Sequence, residues 1–303
     1  MNKLVQLTKR NCLVYIKDKS AVFFSLLSML IVLLLMFFFL GDMNVNYVTE
    51  LQTMYGSQTD SDIALENAEY LVQYWTLAGL MVVNAMTVTL TVIGTLVTDR
   101  NGNKLKSFYT APISKLTVAL SYIFAAIIVG FVLCMVVFAF YMGYIYLIGG
   151  MFLSAVAIAK VMLGTLLNVI LFSTLMYLLA LFVKSSSAWG GLATIVGTFV
   201  GFLGAIYVPV GSLPESVTGL LKCLPVLHAA SIMRNFMCAD ALDAALAGVP
   251  EEVIAVYRQV MGIDIVWKES VLSVGQQFIF LAICGMIILF AIALRGKKHS
   301  SLA

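Results

Sequence analysis

Charge is scarce in this sequence. Of its 303 residues 11% are charged and 62% hydrophobic, with a mean hydropathy of +1.02. A water-soluble domain carries roughly 25% charged residues. The shortfall excludes a chain that clothes itself in polar surface and leaves an integral membrane protein. Histidine is scarcer still, with only His228 and His299. No HExxH zinc helix and no Ser/His/Asp set can therefore be placed. The chain lacks GxxxxGK[ST], so it does not hold ATP through a P-loop. No carboxylate lies deep in an apolar stretch, which argues against proton- or sodium-coupled transport. A TVGYG filter, an Arg-rich sensor helix and an internal repeat are all missing, so the marks of ion channels and inverted-repeat carriers are missing too. Five cysteines, at 12, 134, 223, 238 and 284, have no CxxC or metal-ligand spacing. Only Cys223 and Cys238 fall on one outer side, where two unpaired thiols are expected rather than a disulfide. A net charge of +3 is too small to point to nucleic acid. No catalytic, cofactor or metal site is expected in this chain.

What the sequence has is long apolar runs. No cleavage site follows the first, so 21–40 reads as a span rather than a removable signal. At ~1.5 Å per residue, twenty helical residues cover the ~30 Å bilayer core. Ahead of it, residues 1–20 mix Leu4, Val5, Leu7, Leu13 and Ile16 with Lys3, Lys9, Arg10, Lys17 and Lys19. Such a pattern suits a basic amphipathic helix on the inner membrane surface, and it also serves as an orienting flank. Residues 41–74 carry six acids and no Lys or Arg, which places them outside as a loop. The second span, 75–97, returns the chain, with Tyr70, Tyr74 and Trp75 as an interfacial belt. Thr98–Leu116 is basic and falls inside.

Charge parity decides the remainder. Residues 117–183 make two spans, 117–148 and 153–183, turned outside at Gly149-Gly150; three spans would put the basic tail outside. Lys160, near the outer end, snorkels to the headgroups. The fifth span is 188–208. Residues 211–233 are apolar but broken by Pro214 and Pro225, and read as two short re-entrant helices dipping into the outer leaflet. Residues 239–270 form an outer cap, with Asp240 capping one helix and Pro250-Glu-Glu opening another that Gly262 closes. The sixth span is 271–294, followed by a basic tail. Every Lys and Arg then falls inside except Lys160, Lys222, Arg234, Arg258 and Lys268. Every acid falls outside except Asp18 and Asp99. The expected fold is all-α: six transmembrane helices in one domain, both termini cytoplasmic, in the cell membrane.

Two features stand out within the spans. Asn84, Thr87, Thr91, Thr95 and Thr98 share one helical face. They serve either as interhelical hydrogen-bonding groups, at ~0.6 kcal/mol each, or as the wall of a path for amphipathic substrates. Gly197-Thr-Phe-Val-Gly201 is a GxxxG that permits close helix packing, a candidate dimer seam.

The order of parts resembles the membrane subunit of a type-2 ABC exporter, the permease family that includes bacterial drug, antibiotic and polysaccharide exporters. Four stretches carry the resemblance. Leu7–Ser20 is similar to the family's connecting helix. Asp99–Ser114 is similar to its E-R-E-x-G-T-L loop and coupling helix ending in T-P-[VI]-S, with Asn101 and Asn103 as departures. Val208–Pro214 is similar to the outer turn after the fifth span. Leu224–Arg234 is similar to N-P-[LV]-x-H-x-x-x-x-x-R, with Leu224 in place of Asn. The resemblance implies a second permease chain, the same or homologous, and cytoplasmic ATPase subunits that carry ATP and Mg. It implies ATPase coupling through Arg100, Asn101, Gly102, Lys104, Lys106, Tyr109 and Pro112. It also marks Pro225 as a helix break and His228 as either an outer-gate group or a satisfied interfacial histidine. Apolar spans without buried charge suggest a hydrophobic or amphipathic cargo. The alternatives are a passive channel or carrier with six spans, and a non-transporting assembly or sensor subunit.

Overall fold

A computed structural model describes residues 3–35, 41–56, 61–105, 113–147, 150–268 and 270–300. The chain is helical nearly throughout. Helix α1 is Lys3–Lys17, α2 Lys19–Leu35, α3 Gly41–Tyr55 and α4 Ser61–Asn101. Then come α5 Lys115–Leu147, α6 Ala155–Ala180, α7 Ser186–Leu203, α8 Glu215–Lys222 and α9 Pro225–Met237. Helices α10 Ala239–Ala245 and α11 Glu251–Val260 lead through a two-stranded hairpin to α12, Val274–Ser300. Among the described residues five helices (α4, α5, α6, α7 and α12) are long and apolar enough to cross a membrane, or six if the bent pair α8–α9 counts as one. The expected first span, 21–40, falls on α2 up to Leu35; its last five residues lie outside the described ones.

Helix α4 is the centre of the bundle. It packs against α5, α6, α7, α9, α3, α10 and α2, and its apolar stretch is almost wholly buried. Helices α7 and α12 lie at the periphery with most of their surface uncovered. One close approach is set by glycine: a Cβ on Gly94 would lie 2.6 Å from the indole nitrogen of Trp189, so α7 seats its tryptophan directly on the α4 backbone.

Several expectations are corrected. The acidic segment 41–74 is not a loop. Its described residues form α3 and the first turns of α4, where Ala68, Leu71, Val72 and Trp75 recur at helical spacing and are buried; residues 57–60 lie outside the described ones. Tyr70, Tyr74 and Trp75 are therefore buried rather than an interfacial belt. The turn residue Gly149 lies outside the described residues, and Gly150 precedes a capped helix start at Ser154, whose hydroxyl accepts from Ala157 N–H. Asp240 does not cap α10; the N-cap is Cys238, and Asp240 stands in the first turn, where its charge suits the positive end of the helix. Pro250 does open α11, and Gly262, at φ +63, follows its end. The hairpin, pairing Val266 with Val271 and Trp267 with Ser270, was not anticipated. The proline-broken stretch is two helices at 85°, as read. Pro225 stands where the break was expected: α8 ends at Lys222, the chain turns, and Pro225 opens α9, a first-turn position that its fixed φ suits.

Candidate functional site

The basic end of α4 gathers five helices around a few polar side chains. Asp99, with 3% of its side chain exposed, accepts hydrogen bonds from Arg10 of α1 and from the Tyr122 hydroxyl of α5, the latter at 2.7 Å. Lys104 Nζ stands 3.6 Å from the other carboxylate oxygen. Bonding to Asp99, against the opposing pull of burial, raises the Arg10 pKa above its ordinary value. A carboxylate this well covered needs such partners, since desolvated charge is costly unless paired. Beside it Asn11 Nδ2 donates to Ser121 Oγ at 3.1 Å, and Tyr15 OH donates to Ser25 Oγ at 2.9 Å. Helix α1 is thus held to α5 and α2 by buried polar contacts.

The next residues bind the other side. Arg100 Nη1 donates to the carbonyls of Ala180 and Val183, each at 3.0 Å, placing a cation at the negative end of α6. The Asn101 amide hydrogen-bonds the Ser186 hydroxyl at 2.9 Å, where α7 begins. Helix α4 then stops: Gly102 N–H returns to Thr98 O, and Asn103 takes φ 58, a conformation asparagine tolerates better than most residues. A new helical turn starts at Lys104 and Leu105. Of the residues assigned to coupling, Arg100, Asn101, Gly102 and Lys104 come together here. Arg100 and Asn101 both bond to their own chain, Arg100 from a half-buried position and Asn101 from an exposed one. Lys104 is 63% exposed. Lys106, Tyr109 and Pro112 lie outside the described residues.

Above this cluster runs the polar stripe. Asn84 is buried, its amide 3.5 Å from Cys134 Sγ of α5. Thr87, Thr91, Thr95 and Thr98 are the incompletely buried positions of a helix otherwise covered at these levels. Each hydroxyl donates to its own helix, to Val83, Thr87, Val92 and Gly94 carbonyls respectively. The threonines therefore do not bond neighbouring helices, contrary to the interhelical reading. They present methyl groups and internally satisfied hydroxyls on the face of α4 that is open at these levels.

The acidic end is locked differently. Arg234 of α9, fully buried, donates to the carbonyls of Gly204 at 3.1 Å, Ala205 at 2.7 Å and Gly262 at 3.2 Å. Trp75 N–H donates to Met261 O at 2.7 Å. Arg258 forms a two-pronged pair with Asp264, at 2.6 and 2.8 Å, and also reaches Asn235 Oδ1 at 2.9 Å. Bonding to Asp264 raises the Arg258 pKa, with burial opposing it. His228 stacks on Phe280 of α12, ring centres 4.1 Å apart, and its Nε2 lies 2.8 Å from Lys222 O. The histidine thus ties the α8–α9 bend to α12. Arg234 was legible only as the last residue of the Leu224–Arg234 motif, Arg10 only as one of the basic residues of the first segment and Asp99 only as the opening of the Asp99–Ser114 stretch; Tyr122 was not singled out.

The GxxxG is not an open seam along its length. A Cβ on Gly201 would stand 2.2 Å from the Tyr207 ring, so that glycine is filled by its own chain. Gly197 meets nothing within 4 Å. Both Cys223, exposed, and Cys238, buried, are free thiols.

A long buried helix ringed by apolar helices, with polar locks at both ends, defines a polytopic α-helical membrane protein. The family model described as ABC-2 type transporter matches residues 2–238, and the chain belongs to that family as a permease subunit. No curated protein matches the chain.

Proposed function

We propose that the chain forms the translocation pathway of an ATP-driven exporter. A second permease chain, identical or homologous, completes the pathway, and separate cytoplasmic ATPase subunits carry the ATP and Mg. Both termini and Thr98–Leu116 face the cytoplasm, consistent with the Lys and Arg distribution. The observation that carries this reading is the junction at Asp99–Asn101. There α1, α4, α5, α6 and the start of α7 meet at the root of the basic segment. A push on that segment reaches all five helices together. ATP binding shifts the pathway between conformations only by the difference in its affinity for them. The open threonine face of α4 supplies a wall that is apolar with satisfied hydroxyls. Such a wall suits a hydrophobic or amphipathic cargo such as a drug, an antibiotic peptide or a lipid-like molecule.

The test is Lys104→Glu with Lys106→Glu in vesicles containing the whole complex. ATP hydrolysis is expected to continue while export falls. Full export with an intact ATPase complex would defeat the coupling assignment. Transport that persists without ATP would favour a passive carrier, and hydrolysis with no flux of any cargo a non-transporting subunit.

A further inference from the structure

Helix α1 has more surface than its contacts use. Thr8, Asn11 and Tyr15 make its buried face. About a third of a turn away runs a second ridge, Val5, Lys9, Leu13 and Ile16, at spacings of four, four and three residues. Val5 is 53% and Ile16 57% exposed. Lys9 stands within this ridge, while Lys17 and Lys19 flank the junction with α2; all three are exposed and enter no ion pair among the described residues. Asp18, the one acid between them, uses Oδ1 to accept from Ala21 N–H at the start of α2, 3.0 Å away.

What covers this ridge follows from chain continuity. One residue separates α1 from α2, where the apolar run of the first span begins. Helix α1 is therefore pinned at the bilayer surface, and its uncovered ridge meets a surface that is apolar below and phosphate-lined above. We infer that α1 is a binding site for anionic phospholipid headgroups. Val5, Leu13 and Ile16 enter the acyl boundary, and Lys9, Lys17 and Lys19 bind the lipid phosphates by charge. Neutral zwitterionic lipid satisfies the ridge but not the three lysines. The selectivity is therefore for net negative lipid, roughly tenfold or more for three lysines at the surface. The site is also regulatory by position. The same helix reaches Asp99 through Arg10 and Ser121 through Asn11, so lipid held at α1 bears on the root of the basic segment.

The test needs no transport activity, so its failure is separate from failure of the exporter reading. The full chain is reconstituted in bilayers, and spin-labelled phosphatidylglycerol and phosphatidylcholine are compared for the motionally restricted fraction. The wild type is expected to favour the anionic lipid roughly tenfold or more. Lys9→Gln/Lys17→Gln/Lys19→Gln is expected to bring most of that preference down towards unity, and Lys297→Gln/Lys298→Gln in the tail to leave it unchanged. Retained preference in the triple variant, equal loss in the tail variant, or no preference in the wild type overturns the proposal. If the triple variant keeps its lipid preference but loses a co-purifying cytoplasmic subunit, the ridge is a protein-docking surface and the lipid assignment is wrong.

Discussion

The guanidinium of Arg234 lies over the indole ring of Trp75, 4.4 Å from its centre. No carboxylate pairs with this buried cation among the described residues; its hydrogen bonds all go to backbone oxygens. Two of these oxygens lie just beyond the end of α7, and the third follows α11, so the charge sits where helix dipoles are negative. The planar fork is what lets one side chain serve three carbonyls and a ring together. Arg234→Lys is expected to lower the thermal midpoint of the purified protein by several degrees, a loss of about 2 kcal/mol or more. A lysine variant that melts with the wild type would show that the fork geometry is unimportant.

Asp99 and Arg10 are expected to act as one unit. Asp99→Asn and Arg10→Gln each remove the pairing, and the double variant should lose much less than the two losses added. A coupling of roughly 1–3 kcal/mol is expected in a thermal-stability cycle. Tyr122→Phe removes the hydrogen bond donated to Asp99 and the longer one accepted from Arg10 at 3.5 Å, and should cost about 1 kcal/mol. Strict additivity of Arg10→Gln and Asp99→Asn would mean that the contact between α1 and α4 contributes nothing to the fold.

The two glycines of the GxxxG should part company. Gly201→Ala forces the Tyr207 ring aside and is expected to destabilise the isolated chain. Gly197→Ala meets open space, so the isolated chain should tolerate it. If Gly197→Ala impairs only the assembled complex, the partner permease approaches α7 at that level. Equal melting of the two variants would remove the distinction.

The thiols near the α8–α9 bend report sidedness. Cys223 is exposed, whereas burial pushes the Cys238 thiol up to about 12, so almost no thiolate forms there at neutral pH. In intact cells a membrane-impermeant maleimide should label Cys223 and leave Cys238 untouched. Because both are free, prior reduction should not increase labelling. Labelling of Cys223 only in inverted vesicles would reverse the proposed orientation.

Much of the architecture was readable because it rests on composition along the chain. The bend at 211–233 followed from two prolines in an apolar run too short to span, and the structure turns there by 85°. Pro250 and Gly262 marked the ends of α11 through their backbone constraints. The helices at 41–55 and 61–74 were hidden because their acids dominated the reading, although Ala68, Leu71, Val72 and Trp75 carry the helical period. The junction at Asp99 was hidden for another reason. Arg10 and Asp99 are 89 residues apart, and no spacing rule relates side chains on separate helices. Arg234 is harder still, since its hydrogen-bond partners are carbonyls of Gly204, Ala205 and Gly262, groups that every residue possesses. The threonine stripe was visible as a pattern, but only the folded chain shows that its hydroxyls turn inward on their own helix.

Helix α4 runs without interruption for 41 residues, from Ser61 to Asn101. That is about 62 Å, twice the bilayer core. It contains no proline, the residue most often responsible for a sharp kink. Such a helix behaves as a stiff lever arm. Tilting it by 5° about one end displaces the other by about 5 Å over this length. Asp99 and Arg100 grip one end, and Trp75, about 36 Å along the helix from Asp99, is held by the Met261 carbonyl. If α4 tilts as one body, a small rotation at the basic end would reach the far end as a movement comparable to one helical turn, with no separate signal passed between them.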